Sequence, residues 1–376
     1  MSEVVRLEVL EVSVDVLASP ELASRLQRQW SRCLRGRPAY DVPAVTIDLT
    51  GRLVAEDGAD QTEYRVTTRV TQAGIEAQSG HRLLLHAAGA ADPQTGRTMV
   101  LVAESGTGKT TAAARLCRTL GYVTDETVAL SEDLVALPYA KPLSVVIDAS
   151  DPYDKSQHGP DELGLVPCPT QPEVALLVLL ERVPDRNEPP HLEPVRLLDA
   201  LVALIPQTSA LPRLTRPLQR LAALAEATGG VRRLHYRDIE DATQLLVDTL
   251  QTSEPMAVDR TAHPPTASQA LDETYAEAQP TDVRIDPTAL LTRGAYTDAV
   301  EADGEVLVLI GASPIRLSGL GATIWLATAE PVGIEDLIRR CVSDHGSHPD
   351  ARRLIEDAIG ELAAYGLLVS AAPGVG

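Results

Sequence analysis

The chain of 376 residues contains no phenylalanine, and aromatic residues of all kinds make up 3% of it. Any core must therefore be aliphatic, and a hydrophobic content of 44% is enough to build one. Cysteine is sparse and scattered. Cys33, Cys117, Cys168 and Cys341 form no C-x-x-C pair and have no histidine cluster nearby, so neither a zinc site nor a disulfide framework is indicated. There is no signal-peptide pattern and no apolar run of membrane-spanning length, which makes the cytoplasm the expected compartment and membrane insertion unexpected. Positive charge is also short: 33 Lys and Arg face 53 Asp and Glu, a net charge of −20. Such a chain repels nucleic acid and anionic lipid and suits a peptide or basic partner. Lysine is the scarcest cation. Lys109, Lys141 and Lys155 are its only representatives, and they fall close together in a chain that otherwise uses arginine. The length favours two or three domains.

Those lysines point to the stretch with the clearest chemistry. An apolar run, Met99 to Ala103, gives way to a glycine-bearing loop and then to Thr110 to Leu120, where Ala112, Ala113, Leu116 and Leu120 recur at helical spacing. Strand, loop and helix follow one another without a break. Ser105-Gly106-Thr107-Gly108-Lys109-Thr110-Thr111 matches the core of a Walker A loop, whose glycines let backbone amides turn toward phosphate oxygens at the positive end of a helix. Lys109 is placed to reach the β/γ-phosphates of ATP, and the Thr110 hydroxyl to hold Mg²⁺. One position departs from the pattern: Ala103 stands where the first glycine is expected. Its Cβ costs roughly 1 kcal/mol if the backbone there needs a positive φ.

Upstream, residues 4 to 16 alternate apolar and polar and read as a half-buried strand, Pro20 to Leu34 as a helix with one apolar stripe, and Val45–Leu49 and Tyr64–Val70 as further strands. Arg82–Ala88 is a strand separated from the loop strand by Asp92-Pro-Gln-Thr-Gly-Arg97, a turn, so the two are expected to pair antiparallel. Downstream, Gly121–Leu130 reads as a strand carrying Asp125 and Glu126. Parallel placement beside the loop strand would bring both carboxylates near the phosphates, one to take the proton of an acceptor hydroxyl and the other to hold metal. The Pro- and Gly-rich segment Asp148–Pro172 reads as a loop over a site or a plain surface excursion. Glu173–Leu180 reads as a strand buried on both faces, and Leu234–Tyr236 with the following helix closes the region. Residues 253–282 lack periodicity and read as a linker. Beyond them lie a hairpin turning at Asp303-Gly304, a third short strand Ile315–Leu317, and three amphipathic helices.

Together, His81 or His86, the loop Ser105–Thr110, Val123-Thr-Asp-Glu126 and Lys141-Pro-Leu-Ser144 resemble the HPr kinase family, within the phosphoenolpyruvate-carboxykinase-like phosphotransferases. The resemblance covers roughly residues 75 to 250. It implies transfer of the γ-phosphate of ATP to a serine hydroxyl, with Lys109 on phosphate, Thr110 on Mg²⁺, Asp125 as base and Glu126 beside it as a second metal-side carboxylate. It also implies a histidine on the strand before the loop, a role for which His81 and His86 compete. The glycine-rich signature that accompanies phosphorylase activity and hexamer assembly in the bacterial regulator has no copy here. Residues 283–371 resemble the PqqD family, small winged-helix-like modules that bind leader peptides, through the Asp303-Gly304 hairpin, Leu317-Ser-Gly-Leu-Gly-Ala-Thr-Ile-Trp325 and Leu362-Ala-Ala-Tyr-Gly-Leu-Leu368. A DNA-binding winged helix is the rival, disfavoured by 7 basic against 13 acidic residues from Val283 to Gly376.

The resulting expectation is an α/β protein: a mixed α+β N-terminal region (1–75), a mixed-sheet P-loop kinase core (76–252), a linker (253–282) and a winged-helix-like α+β domain (283–371). The expected activity is ATP- and Mg²⁺-dependent phosphorylation of a Ser or Thr hydroxyl on a ribosomally made precursor peptide, whose leader the last domain holds. Two rivals stand beside it: a nucleotide-gated peptide scaffold without transfer, and a small-molecule kinase. A homo-oligomer is compatible with all three.

Overall fold

A computed structural model describes residues 2–36, 45–49, 59–104, 106–148, 151–185, 188–265, 279–283 and 285–371. Ser105 and residues 266–278 of the expected linker lie outside the described residues. The chain forms two compact units. The first comprises Met1–Arg196, Gln207–Leu214 and Ala223–Ala257, and the second Leu197–Pro206, Thr215–Ala222 and Val258–Gly376.

The first unit begins with β1 (Glu3–Val9) and β2 (Val12–Ala18), which pair antiparallel. The single strand expected over residues 4 to 16 is thus a hairpin. Its turn is Leu10-Glu11, at φ 49° and 64°, a pair carrying none of the Gly or Asn that usually marks such a turn. α1 (Pro20–Gln29), capped by the Ser19 hydroxyl, buries Leu22 and Leu26 in the apolar layer over this sheet. β3 (Val45–Asp48) adds parallel to β2.

The next element, α2 (Ala59–Gln78), overturns the strand expected over Tyr64–Val70. Its β-branched residues read as strand, but Val66 and Val70 are buried four apart on one helical face. Thr67, Thr68 and Thr71 each donate a hydroxyl to the carbonyl four residues earlier.

The elements that follow are β4 (Leu83–Ala91), β5 (Arg97–Val102), α3 (Lys109–Leu116), β6 (Gly121–Thr124), β7 (Thr127–Leu130), β8 (Ala136–Leu137), β9 (Leu143–Asp148), β10 (Asp151–His158), β11 (Val166–Pro167), β12 (Glu173–Arg182) and β13 (His191–Pro194); β9 and β10 form a sheet of their own, and the other strands build one large sheet. After α4 (Leu197–Leu204) come β14 (Thr208–Ser209), α5 (Pro217–Ala227), β15 (Val231–Tyr236) and α6 (Ile239–Thr252). The strand order is β11-β6-β4-β5-β12-β15-β13, with β7 and β14 also on β4. β4 and β5 form the expected antiparallel hairpin, while β5, β12 and β15 run parallel as neighbours. The sheet is therefore mixed, as the sequence suggested. Met99, Leu101 and Ala103 alternate onto the face covered by α3 and α6, where Leu116, Leu246 and Leu250 complete an aliphatic core.

Two expectations fail here. The strand bearing Asp125 and Glu126 is two strands, β6 and β7, and both pair antiparallel with β4 rather than lying beside β5. The segment Asp148–Pro172 is not a loop: β10 pairs antiparallel with β9, and β11 pairs parallel with β6.

In the second unit, β16 (Thr261–His263), which falls inside the expected linker, pairs with β18 (Asp298–Ala302). β18 turns at Asp303-Gly304, φ 53° and 75°, into β19 (Glu305–Ile310) and then β20 (Ser313–Leu317), giving a sheet in the order β16-β18-β19-β20. β17 (Leu290–Arg293) joins β21 (Val332–Gly333) and β22 (Leu368–Ser370) in a second sheet. α7 (Gly319–Ala327), α8 (Ile334–His345) and α9 (Ala351–Ala364) supply the helical layer. Trp325 sits at the centre of the core, with Tyr296 edge-on at 5.4 Å and the Arg293 guanidinium 3.7 Å over its ring. Among the described residues, no helix is long and apolar enough to cross a membrane.

Candidate functional site

The loop after β5 builds the site. Gly106 and Gly108 have φ of 82° and 105°, a region in which only glycine is unstrained. A Cβ on Gly106 would meet nothing within 4 Å, so the backbone there faces open space. Gly108 caps α3, which aims the free amides of the first helical turn into the same space. Ala103 does not adopt a positive φ, so its Cβ carries none of the expected strain; it packs instead into the core at the end of β5.

Lys109 is 7% exposed, and its ammonium donates to the carbonyls of Ala103 and Glu104, the latter at 3.1 Å. Burial lowers its pKa from 10.5 to about 8, against the opposing pull of Glu126, Asp125 and Glu104. The side chain thus lies folded on its own loop, where burial weakens its hold on the proton and bound phosphate would strengthen it.

Asp125, at 3% exposure, accepts the Tyr122 hydroxyl at 2.9 Å and the Lys141 ammonium at 2.9 Å. Lys141, at 1% exposure, also reaches Glu126 at 3.2 Å and the Pro142 carbonyl at 2.9 Å. Burial alone would lower the Lys141 pKa, but the Asp125 and Glu126 carboxylates reverse this and raise it. A lysine this deeply buried is tolerable only with such partners. Glu126, by contrast, is part-exposed.

These groups line one cleft of about 570 Å³. Gly106, Gly108, Lys109, Thr110 and Thr111 form its loop side, and His86, Asp125, Glu126 and Lys141 face them. Thr107 lines a second, smaller cleft on the loop's other flank. Of the two histidines, His86 on β4 lines the main cleft, whereas His81 is exposed two residues before that strand and does not. Burial, then the neighbouring Lys109, lowers the His86 pKa, with Glu126 and Asp125 partly opposing, so its imidazole is neutral near pH 7. The carboxylates reach the cleft although their strands are not neighbours of β5, because β4, one strand wide, separates β5 from β6.

Several lining residues are not apparent from motif reading. Tyr64, Thr67 and Thr68 come from α2, whose helical nature the sequence pattern disguises. Lys155 comes from β10 and lies 5.4 Å from the centre of the Tyr64 ring. All three lysines of the protein line this cleft. Their crowding after the loop was the available signal.

The cradle fits a polyphosphate: open glycine backbone, a helix N-terminus and a buried ammonium converge on it. Among the described residues, no cluster of three or more His, Cys, Asp or Glu side chains is arranged to hold a metal ion. Mg²⁺, which needs few protein ligands and keeps phosphate oxygens and water, is still compatible with Thr110 and Glu126 on the cleft wall.

No protein-family model matches the sequence, and no curated protein matches it. Among solved structures, the chain is similar to the Hpr(Ser) kinase/phosphatase from Coxiella burnetii, at 15% identity over 45% of this chain and 93% of that one, with a TM-score of 0.25. A likeness at that level carries no argument about the cleft, whose reading rests on its own residues.

Proposed function

We propose that the first unit is an ATP-dependent phosphotransferase acting on a hydroxyl group. The observation that carries this is the meeting of a phosphate-type loop with Asp125 and Glu126 in one cleft. A phosphate loop alone suits any nucleotide-binding protein; a buried carboxylate opposite it supplies what transfer to an alcohol needs, an acceptor for the hydroxyl proton. The loop amides and Lys109 hold and neutralise the transferring phosphate, Thr110 and Glu126 are the groups that would hold Mg²⁺, and Asp125 takes the proton. Mg²⁺ would supply charge neutralisation at the phosphates. Lys141 and the Tyr122 hydroxyl fix the Asp125 carboxylate, so that little reorganisation is needed when the acceptor arrives. His86, neutral beside these groups, can accept or donate a hydrogen bond at the acceptor side.

The proposed acceptor is a Ser or Thr of a precursor peptide, with the leader held by the second unit. What favours this is the sheet edge there. β16 covers the β18 side, and β20 pairs only with β19 among the described strands, leaving an edge on which an extended peptide can add as a strand. Tethering the acceptor in this way raises its effective concentration without new contacts at the catalytic groups. Incubation of the full chain with ATP, Mg²⁺ and the peptide encoded beside its gene, followed by mass spectrometry, should show one added phosphate on a Ser or Thr. Absence of transfer to every neighbouring peptide, with ATP bound, favours a nucleotide-gated scaffold instead.

A further inference from the structure

We propose that the cleft at the carboxyl ends of β12 and β15 takes the nucleoside end of the nucleotide, with the Arg182 guanidinium as the platform for the base. The proposal rests on reading the loop after β5 as a phosphate site. β5, β12 and β15 are parallel neighbours, and their carboxyl ends carry the loop, Arg182 and Tyr236 in turn. Ligands of α/β sheets bind at that end of the strands. The cleft there measures about 270 Å³, with Thr107, Gly108 and Thr111 on one wall and Arg182, Tyr236 and Asp238 on the other.

This cleft and the main one have Gly108 and Thr111 in common, so the loop lies between them. A nucleoside triphosphate has two unlike ends. His86, Asp125, Glu126 and Lys141 all line the main cleft, and none lines the second. The transferring phosphate belongs with those groups, so the nucleoside leaves across Gly108 and Thr111 into the second cleft.

The residues waiting there suit it. Arg182 donates from Nε to the Arg237 carbonyl at 3.1 Å, and a guanidinium N–H lies 3.9 Å from Asp238, which sets the plane of a group well able to stack on an aromatic ring. Ile239 adds apolar surface to the same cleft. Tyr236 donates its hydroxyl to the Thr107 carbonyl at 3.2 Å, tying the crown of the phosphate loop to this wall. Asp238 stands at the N-cap of α6 without making a side-chain cap bond to it; Arg237 Nε donates to its Oδ2 at 2.9 Å, and its Oδ1, 3.9 Å from the Arg182 guanidinium, offers an acceptor for a ribose hydroxyl.

Binding of ATP and of inorganic tripolyphosphate to the full chain, measured by calorimetry with Mg²⁺ present, separates the two halves of the argument. Arg182→Ala should weaken ATP about tenfold, the scale of one lost base stack, and leave tripolyphosphate affinity unchanged. Arg182→Lys keeps the charge and loses the plane, and should show the same ATP-selective loss, which guards against a folding defect in the alanine variant. An equal loss for both ligands would make Arg182 a phosphate ligand and overturn the assignment, as would no change for either. Wild-type protein that binds tripolyphosphate as tightly as ATP overturns the nucleoside site alone; wild-type protein that binds neither overturns the phosphate loop and the nucleoside site together.

Discussion

The two units spend their polar groups differently. In the first, Glu63, Lys109, Asp125 and Lys141 are all buried, and three of those four line one cleft. In the second, Asp298 is the only buried charged residue among those described, and it is consumed structurally: it accepts amides from Leu218, Gln219 and Ala299. Ion pairs of this unit such as Arg352 with Glu335 and Arg353 with Asp357 are exposed and worth little. Desolvating charge is expensive, and a fold bears that cost where prearranged charge does chemistry. The first unit gathers buried charge in one cleft, as the proposed phosphotransferase needs, and the second gathers none among its described residues, as suits the proposed role of holding a peptide by shape and a backbone edge.

The sharpest way to break this contrast is to remove a charge from the cleft. Lys109→Ala should lower phosphate transfer roughly 10²–10³-fold, the scale of one lost transition-state donor, measured by initial rates at saturating peptide. A loss below threefold would mean that the loop is not the phosphate site. Next in size is Lys141→Met, which strands Asp125 without its buried partner. It should cost about 3–5 kcal/mol of stability in denaturant titration of the full chain. A neutral outcome would show the pair to be hydrated.

The pH response comes next. Lys109 loses its proton near pH 8 in the folded chain, against 10.5 in the unfolded one. An anionic phosphate prefers the charged form, so ATP affinity should fall as pH rises through about 8, by up to about tenfold per unit, when followed by calorimetry. Stability of the ligand-free chain should move the other way. The unfolded state binds the extra proton between about pH 8 and 10.5, so this residue's contribution to folding rises with pH over that window. Parallel trends in affinity and stability would contradict the assignment.

The smallest expected effect is on the second unit. Ile315→Asn on β20 should raise the peptide KM several-fold and leave kcat unchanged, in steady-state assays with full-length and leaderless peptide. Equal behaviour of the two peptides would remove the leader-binding role.

How legible all this was depends on what each residue's job is. Gly106 and Gly108 announce themselves because a backbone at positive φ requires their type, and the β4–β5 hairpin because Asp92, Pro93 and Gly96 do turn chemistry. Asp92 indeed accepts the amides of Gln94 and Thr95 across that turn. The mixed α/β class followed from these local signals. What hid was non-local. α2 looks like strand because its face is built from Val and Thr, whose preference is overridden by packing. The strand order was out of reach because β6 and β12 are both apolar and both follow the loop strand, so either could take the parallel place beside β5; β12 takes it. The Leu10-Glu11 turn uses residues that turns normally avoid. Lys141 stood in plain view within Lys141-Pro-Leu-Ser144, yet its role as the partner of Asp125 exists only once the segment before β9 folds against β6, where Tyr139 donates its amide to the Val123 carbonyl at 2.9 Å and the Tyr122 hydroxyl donates to the Lys141 carbonyl at 3.1 Å. Choosing His86 over His81 likewise needed the direction of β4, not its composition.

The most direct test of the central claim sets binding against transfer in Asp125→Asn. The asparagine keeps the shape of the side chain and an acceptor for the Tyr122 hydroxyl, but cannot take a proton. Calorimetric ATP affinity should match wild type while phosphate transfer to the peptide becomes undetectable. A variant that still transfers at the wild-type rate would contradict the account.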